Sequence, residues 1–459
     1  MFFSKENSIA KSKYNRWFVP IAALSIHLCI GQIYAFSVFN KPLTKIIGIT
    51  EQTPDDWKLT ELGWIFTIAI FFLGASAAVL GKWVERVGPR QTMSIAAICF
   101  SSGFLVSGLG IHLHQLWLLY IGSGVLGGIG LGLGYISPVS TLIKWFPDRP
   151  GMATGMAIMG FGGGAMIASP LSVHLMEFFA NESSVGVRET FITMGLIYLV
   201  VMLFGSIIVR IPRDDWKPKG YNPEAKKKNK LITTNNVLVD TAVKTPQFWL
   251  LFMVLGLNVS AGIGVLGQAS VMIQEMFSVD SVGESAAVTA RDAAIFVGLL
   301  SLFNMIGRFV WSSSSDYLGR KTTYSIFFIL GILLYVFIPF TGKMGSVLLF
   351  TIAFSVIISM YGGGFATIPA YLKDMFGNRQ IGAIHGRLLL AWSLAAIIGP
   401  VTINYLREYQ IETLGMQPAD VYNLTMYLMA GLLFIGLLCN LYIKPVDPKY
   451  HLENKSNKE

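Results

Sequence analysis

The sequence predicts an all-α membrane protein: twelve transmembrane helices in two pseudo-symmetric six-helix bundles, with both termini cytoplasmic. Three observations predict it. Of 459 residues, 53% are hydrophobic and only 13% charged, with mean hydropathy +0.58, whereas soluble globular chains carry roughly 25% charge. Twelve apolar runs reach the roughly 20 residues that a spanning helix needs. The two halves of the chain also repeat at one constant offset.

The elements follow in order. Residues 1–16 are a polar tail. Span 1, about 17–40, is too long and too polar beyond its apolar core to be a cleaved signal peptide. Spans 2 to 6 lie at about 61–80, 93–110, 116–142, 152–178 and 190–209, completing an N-terminal bundle over 17–209. Residues 210–247 form the one long polar segment, with Pro212, Pro218, Pro223 and the run Lys226-Lys227-Lys228. This composition reads as a flexible linker. Its lysines suit a solvated loop near anionic lipid better than a nucleic-acid site. Spans 7 to 12 lie at about 248–273, 292–313, 323–340, 346–371, 384–406 and 422–443, giving a C-terminal bundle over 248–443. Residues 444–459 are a second tail. Every run is far longer than the roughly 10-residue strands of a membrane barrel.

Basic residues fix the expected orientation. With the N-terminus inside, inner segments hold 27 of the 35 Lys and Arg, outer loops hold seven, and Arg308 is the remainder. The net charge of +9 is mostly this bias and gives no argument for nucleic acid. Cys29, Cys99 and Cys439 fall inside apolar runs and read as small buried hydrophobes, not as a disulfide or metal frame. The spans carry no nucleophile–base arrangement, metal-ligand cluster or cofactor motif, so neither an enzyme nor a cofactor is expected.

A shift of 231 residues superposes the halves. Gly88 then meets Gly319, Arg90 meets Lys321, Glu85 meets Asp316, Gly132 meets Gly363, Pro138 meets Pro369, Gly151 meets Gly382, Gly155 meets Gly386 and Phe161 meets Trp392. Such repeats place a substrate site near the midplane and let one bundle rock against the other. The glycines of GSGVLGGIGLGLG (122–134) have no preceding strand and no following Lys-Ser/Thr, so they are no phosphate loop. They read as close helix packing, as do Gly160 to Gly164 and Gly362 to Gly364.

Arg308 follows fifteen uncharged residues, Ala293 to Gly307, and precedes Asp316 by eight. Eight residues are about 12 Å of helix, which puts the guanidinium inside a hydrocarbon core about 30 Å thick. A central Arg costs about 2.5–3.5 kcal/mol on insertion scales and marks a cavity or a partner. Asn304 lies one turn away on the same face. No acid sits in the central part of any span, so Arg308 is a candidate seat for a carboxylate, which guanidinium binds bidentately. The competing reading is that Arg308 reaches the membrane edge or pairs with Asp316. Tyr34, Tyr135, Tyr361, Phe365 and Trp392 are candidate walls of the chamber. Gln268, Gln32 and His27 are weaker candidates, and a lone His27 reads first as a packing residue.

Two loops, GKWVERVGPR (81–90) and SSSSDYLGRK (312–321), resemble the loop signature Gly-x-x-x-Asp-x-x-Gly-x-Arg/Lys of the major facilitator superfamily. Glu85 replaces the usual Asp in the first, and Ser312 the first Gly in the second. Gly81, Glu85, Arg86, Gly88 and Arg90, with Asp316, Gly319, Arg320 and Lys321, are the candidate gating residues. The acid can pair with a base and a helix N-terminus. IYAFSVF (33–39), the stretch 133–165 and the stretch 362–400 further resemble the oxalate/formate antiporter family, which is related to the monocarboxylate transporters. That resemblance implies a secondary transporter in the cell membrane, with a span-8 arginine on the substrate carboxylate and aromatic rings boxing the anion. Oxalate transporters of that family carry a second cation in span 11, where this chain has Trp392. One cation suits a monoanion such as formate, lactate or pyruvate. Coupling stays open between a proton carried with the substrate, a counter-transported anion and uniport. An oxalate/formate exchanger, a carrier of larger amphiphilic solutes and a non-transporting receptor remain alternatives. A monomer is expected, because each chain contains both halves.

Overall fold

The computed structural model describes residues 4–213, 216–221, 231–284, 287–417 and 420–452. The Lys226-Lys227-Lys228 run and Pro223 lie outside them. The spans are Phe18–Leu43, Leu59–Val87, Pro89–His112, Leu116–Trp145, Pro150–Phe179 and Val187–Ile208 in the first half. In the second half they are Pro246–Met276, Ala290–Leu318, Arg320–Lys343, Val347–Phe376, a broken span 11 and Tyr422–Tyr442. Eleven helices among the described residues are long and apolar enough to cross a membrane. Span 11 is instead two helices, Ile381–Leu388 and Leu390–Glu408. They join at Leu389, whose carbonyl accepts from both Trp392 N (3.0 Å) and Ser393 N (3.2 Å).

Span 1 also departs from a uniform helix. It is α-helical to Ile30 and then winds more tightly through Gly31–Phe39. Here it crosses span 5 backbone to backbone. A Cβ on Gly31 would sit 2.4 Å from the Phe161 carbonyl oxygen, and one on Gly164 2.7 Å from Gly31 Cα. The glycine run of span 4 packs on span 3 in the same way, with Gly122 against Gly103. Small residues thus set the helix spacing, as the sequence led one to expect.

The described parts of 210–247 are packed at both ends of the segment that composition reads as a flexible linker. Ile211 bridges to Ile9, and Trp216 lies edge-on to Trp145 at 4.7 Å. Thr233 N and Val237 N donate to the carbonyls of Asp374 and Phe376, at 2.8 and 2.9 Å. Val237 and Val239 are buried. The polar composition hid two valines that bury and N–H groups that satisfy the end of span 10. Asp240 joins the halves, pairing with Lys82 of span 2 and with Arg387 of span 11 at 2.8 Å. Hydrogen bonds from Lys82 and then Arg387 hold its carboxyl below the ordinary 3.8. A carboxylate with a lowered pKa keeps its charge as pH falls past its ordinary value. This bridge therefore persists throughout pH 5–8 and is lost only in acid below 3.8.

The halves are latched together on the face that carries both termini, by two related contacts. Asp316 Oδ1 and Oδ2 accept from Gly151 N and Met152 N, each at 2.9 Å, at the start of span 5. Glu85 Oε1 accepts from Gly382 N at 2.9 Å, at the start of span 11. Each acid thus caps a helix of the opposite half, where the helix dipole favours negative charge. Asp316 also pairs with buried Arg320 (2.6 Å), which reaches Asp374 (3.1 Å), while Glu85 pairs with Lys144 (2.7 Å). One turn deeper the backbones close. A Cβ on Gly155 would sit 3.0 Å from the Arg308 carbonyl oxygen, and one on Gly386 2.2 Å from that of Ala77. Gly155 and Gly386 are repeat mates, and so are Arg308 and Ala77.

Of the other loop residues, Gly88 and Gly319 both turn at φ 86°, a region that favours glycine. Gly81 packs on Ala383. Lys321 Nζ donates to the carbonyls of Leu441 (2.7 Å) and Ile443 (2.9 Å), closing the end of span 12. Arg90 is buried at the start of span 3. Arg86 is exposed, so it stands outside the latch proper.

Candidate substrate site

Opposite the latched face, a cavity of about 660 Å³ opens between the halves. Tyr34, Ser37 and Trp64 of the first half and Leu266, Ser301 and Asn304 of the second line it. Asn304 forms part of its floor, and Arg308 lies one turn below, fully buried. The guanidinium is held on three sides. Nε donates to Asn304 Oδ1 at 3.0 Å, and Nη1 to the Ile158 carbonyl at 3.4 Å. The Phe161 and Phe365 rings stand 5.5 and 5.4 Å from Cζ, within cation–π range. Asp316, spent on the latch, does not neutralise it. Among the described residues no carboxylate pairs with Arg308.

Two glycines make the slot. A Cβ on Gly162 would fall 2.9 Å from Arg308 Nε, and one on Gly362 2.6 Å from Asn304 Oδ1 and 3.1 Å from Arg308 Cγ. A methyl at 162 displaces the guanidinium from Asn304. Hydrogen bonds to charged groups are worth about 1.5–3 kcal/mol. Gly162→Ala is therefore expected to raise the KM for substrate at least about tenfold and to lower the melting temperature modestly, by the loss of that one bond. Paired uptake and melting curves check this, and an unchanged KM would mean that the slot does not position the arginine.

The structure brings most of the candidate residues together. Tyr34 Oη and Tyr361 Oη meet across the halves at 3.5 Å. Phe365 stands between Tyr361 (5.2 Å) and Trp392 (4.5 Å). Tyr135 touches Trp392 at 5.7 Å and Phe161 at 5.5 Å. Gln268 is half-buried on span 7. Phe161 was missed, although as the repeat mate of Trp392 it could have been found. His385, which packs on Tyr135 at 5.8 Å, was missed as well.

Among the described residues, several polar atoms of this cluster are buried without a hydrogen-bond partner: Arg308 Nη2, Tyr135 Oη, Trp392 Nε1, His27 Nε2 and His385 Nε2, and Gln32 Nε2 of span 1 is another. Buried polar groups are nearly always paired, and an unpaired one costs about 1–3 kcal/mol. Arg308 retains a guanidinium N–H with no acceptor among the described residues, beneath a cavity open to one face. That arrangement can take an anion and exclude water around it. None of these side chains forms a nucleophile–base pair.

Comparison with known proteins agrees with this architecture. The chain is 26% identical over 386 residues to the uncharacterised MFS-type transporter YhjX of Escherichia coli (strain K12), covering 83% of this chain and 86% of that one. It is 25% identical to the oxalate:formate antiporter of Oxalobacter formigenes, covering 84% and 83%. It is 24% identical to the apicoplast pyruvate carrier 1 of Toxoplasma gondii, covering 98% and 93%. Among solved structures, a proton:xylose symporter bound to 6-bromo-6-deoxy-D-glucose superposes with a TM-score of 0.66 at 15% identity, covering 93% and 94%. The Major Facilitator Superfamily profile matches residues 22–400. With its two repeated bundles, its opposed latches and that match, this multi-pass membrane protein belongs to the Major Facilitator Superfamily.

Proposed function

We propose that the protein is a secondary transporter of small organic monocarboxylate anions of the formate, lactate and pyruvate type. It works by alternating access, with the termini face cytoplasmic and the chain a monomer in the cell membrane. The observation that carries this reading is Arg308. It is a fully buried guanidinium without an acidic partner among the described residues, held between two aromatic rings under an open cavity. The substrate carboxylate takes Arg308 Nη2, and Tyr34, Tyr135, Tyr361, Phe365 and Trp392 surround the rest of the anion. The names of an oxalate:formate antiporter and a pyruvate carrier among the relatives support the substrate class.

Trp392, not a second cation, stands beside the same two rings as Arg308. A lone positive charge balances one carboxylate, and a second would remain unpaired at a cost in low dielectric. Labelled uptake into proteoliposomes is therefore expected to be saturable for a monocarboxylate and weaker for oxalate. Preferential uptake of oxalate would overturn the monoanion assignment. The cavity volume favours one second reading, transport of a larger amphiphilic solute, since about 660 Å³ exceeds what pyruvate fills. Such a carrier would keep its flux without Arg308.

A further inference from the structure

We propose that His27 and His385 form the proton-binding site that couples transport of the anion to a proton, one histidine from each half. This rests on the monocarboxylate reading above and adds the coupling ion and its ligands. Of six histidines in the chain, these two alone are buried among the described residues. Both pack against one side chain, Tyr135. Ring centroids stand 5.4 Å from His27 and 5.8 Å from His385. His27 Nδ1 lies 3.0 Å from the Ala23 carbonyl oxygen. A carbonyl only accepts, so Nδ1 carries the hydrogen and the Nε2 lone pair is free. Among the described residues that Nε2 has no hydrogen-bond partner, and neither does His385 Nε2 or the Tyr135 hydroxyl. Three side chains that pack on one another at one contact between the halves thus each carry a buried polar atom without a hydrogen-bond partner among the described residues.

The site is one ring removed from the anion seat, since Tyr135 touches Phe161 and Phe161 lies under Arg308. The other titratable and charged groups are placed as follows. Tyr361 comes from span 10 and Arg308 from span 8. Tyr198 comes from span 6, and Cys29 lies two residues along span 1. Towards the termini face, Glu85 of span 2 and Lys144 of span 4 neutralise each other, and Asp240 holds Arg387. No carboxylate in this set is free to carry the proton, and imidazole is the side chain whose ordinary titration falls within physiological pH.

Charge balance supplies the coupling. With Arg308 unpaired, the cluster already holds one positive charge in low dielectric. A bound carboxylate cancels it, and a proton on an imidazole Nε2 then restores the same net charge. Each ligand favours the other by the same factor, as linkage requires. One monoanion and one proton move together without net charge. Because the histidines belong to opposite halves, rocking separates them and gives the proton a way off on the far side.

The test uses the full chain in proteoliposomes with the membrane potential clamped, and labelled pyruvate as probe. Counterflow at equal pH on both sides reports the anion seat alone. Uptake driven by an inward gradient of one pH unit reports coupling, and a one-to-one symporter accumulates substrate about tenfold. Wild type is expected to do both. His27→Gln with His385→Gln should keep counterflow within about threefold and lose gradient-driven accumulation, with a flat pH profile between 5 and 8. Retained counterflow also certifies that the variant is folded. Tenfold accumulation in the double variant, or wild-type uptake indifferent to the gradient while counterflow proceeds, overturns this proposal and leaves the monocarboxylate reading standing. Loss of counterflow in the double variant and in both single variants assigns the histidines to binding or packing and overturns it too. Absence of counterflow in wild type overturns the monocarboxylate reading itself, and this proposal with it.

Discussion

Arg308→Gln is expected to abolish monocarboxylate flux. Glutamine keeps a hydrogen-bonding side chain of moderate length but removes the charge. Truncating one partner of a buried, hydrogen-bonded charge pair costs about 2–5 kcal/mol, so the affinity for substrate should fall by about 30-fold to several thousand-fold. The fold should survive. The charge is unpaired in the empty protein, and burying it already costs free energy, so the glutamine variant should melt at or above the wild-type temperature. Arg308→Lys is a sharper control. It keeps the charge but not the planar fork, and its amine cannot make the Nε contact to Asn304 and present a second donor in the same plane. Its flux should lie between wild type and the glutamine variant. Wild-type flux in Arg308→Gln would return the arginine to a packing role and favour a carrier of larger solutes.

The second large effect is conformational. Asp316→Asn removes a charge that caps span 5 of the opposite half and pairs with buried Arg320. The ion pair with Arg320 lies within one half and is common to both states, so what opening loses is the cap on Gly151 N and Met152 N. Hydrogen bonds to a charged group are worth about 1.5–3 kcal/mol, and asparagine keeps a neutral acceptor. A net shift of about 2 kcal/mol towards the state open on the termini face is expected, roughly thirtyfold in the ratio of states. Single cysteines read it. Ser140→Cys, in the cleft on the termini face, should label faster with an impermeant thiol reagent. Thr67→Cys, in the opposite cavity, should label more slowly. Glu85→Gln should act in the same direction but more weakly, because Glu85 contributes one backbone contact where Asp316 contributes two. Equal labelling in Asp316→Asn and wild type would mean that backbone packing at Gly155 and Gly386 holds the closed face without the acid.

What the sequence disclosed follows from how harsh the bilayer is as a solvent. Long apolar runs are compulsory in a helical membrane protein, so the spans could be read directly. A charge inside such a run stands out, which made Arg308 visible. The 231-residue offset tied Glu85 to Asp316 and Gly151 to Gly382, and the structure uses those pairs as opposed latches. Contacts that depend on rotation about a helix axis were not legible. Gln268 is polar and within a span, yet composition cannot say which way it faces. Phe161 looks like any other apolar residue until Arg308 lies against it. His385 sits near the start of span 11, where a histidine at a membrane edge attracts no notice. The break at Leu389 leaves no trace, because no Pro or Gly marks it. The packed ends of 210–247 were hidden because two buried valines carry little weight in a segment of lysine and proline.

The central claim is that the substrate is held by its carboxylate on Arg308. Equilibrium binding to the purified wild-type protein tests it most directly, with labelled pyruvate displaced by unlabelled pyruvate or by its neutral amide. The two competitors have nearly the same shape and differ in charge. The account predicts displacement by pyruvate and, at the same concentration, almost none by the amide. Equal displacement by both would contradict it, because the site would then be recognising shape and not the anion.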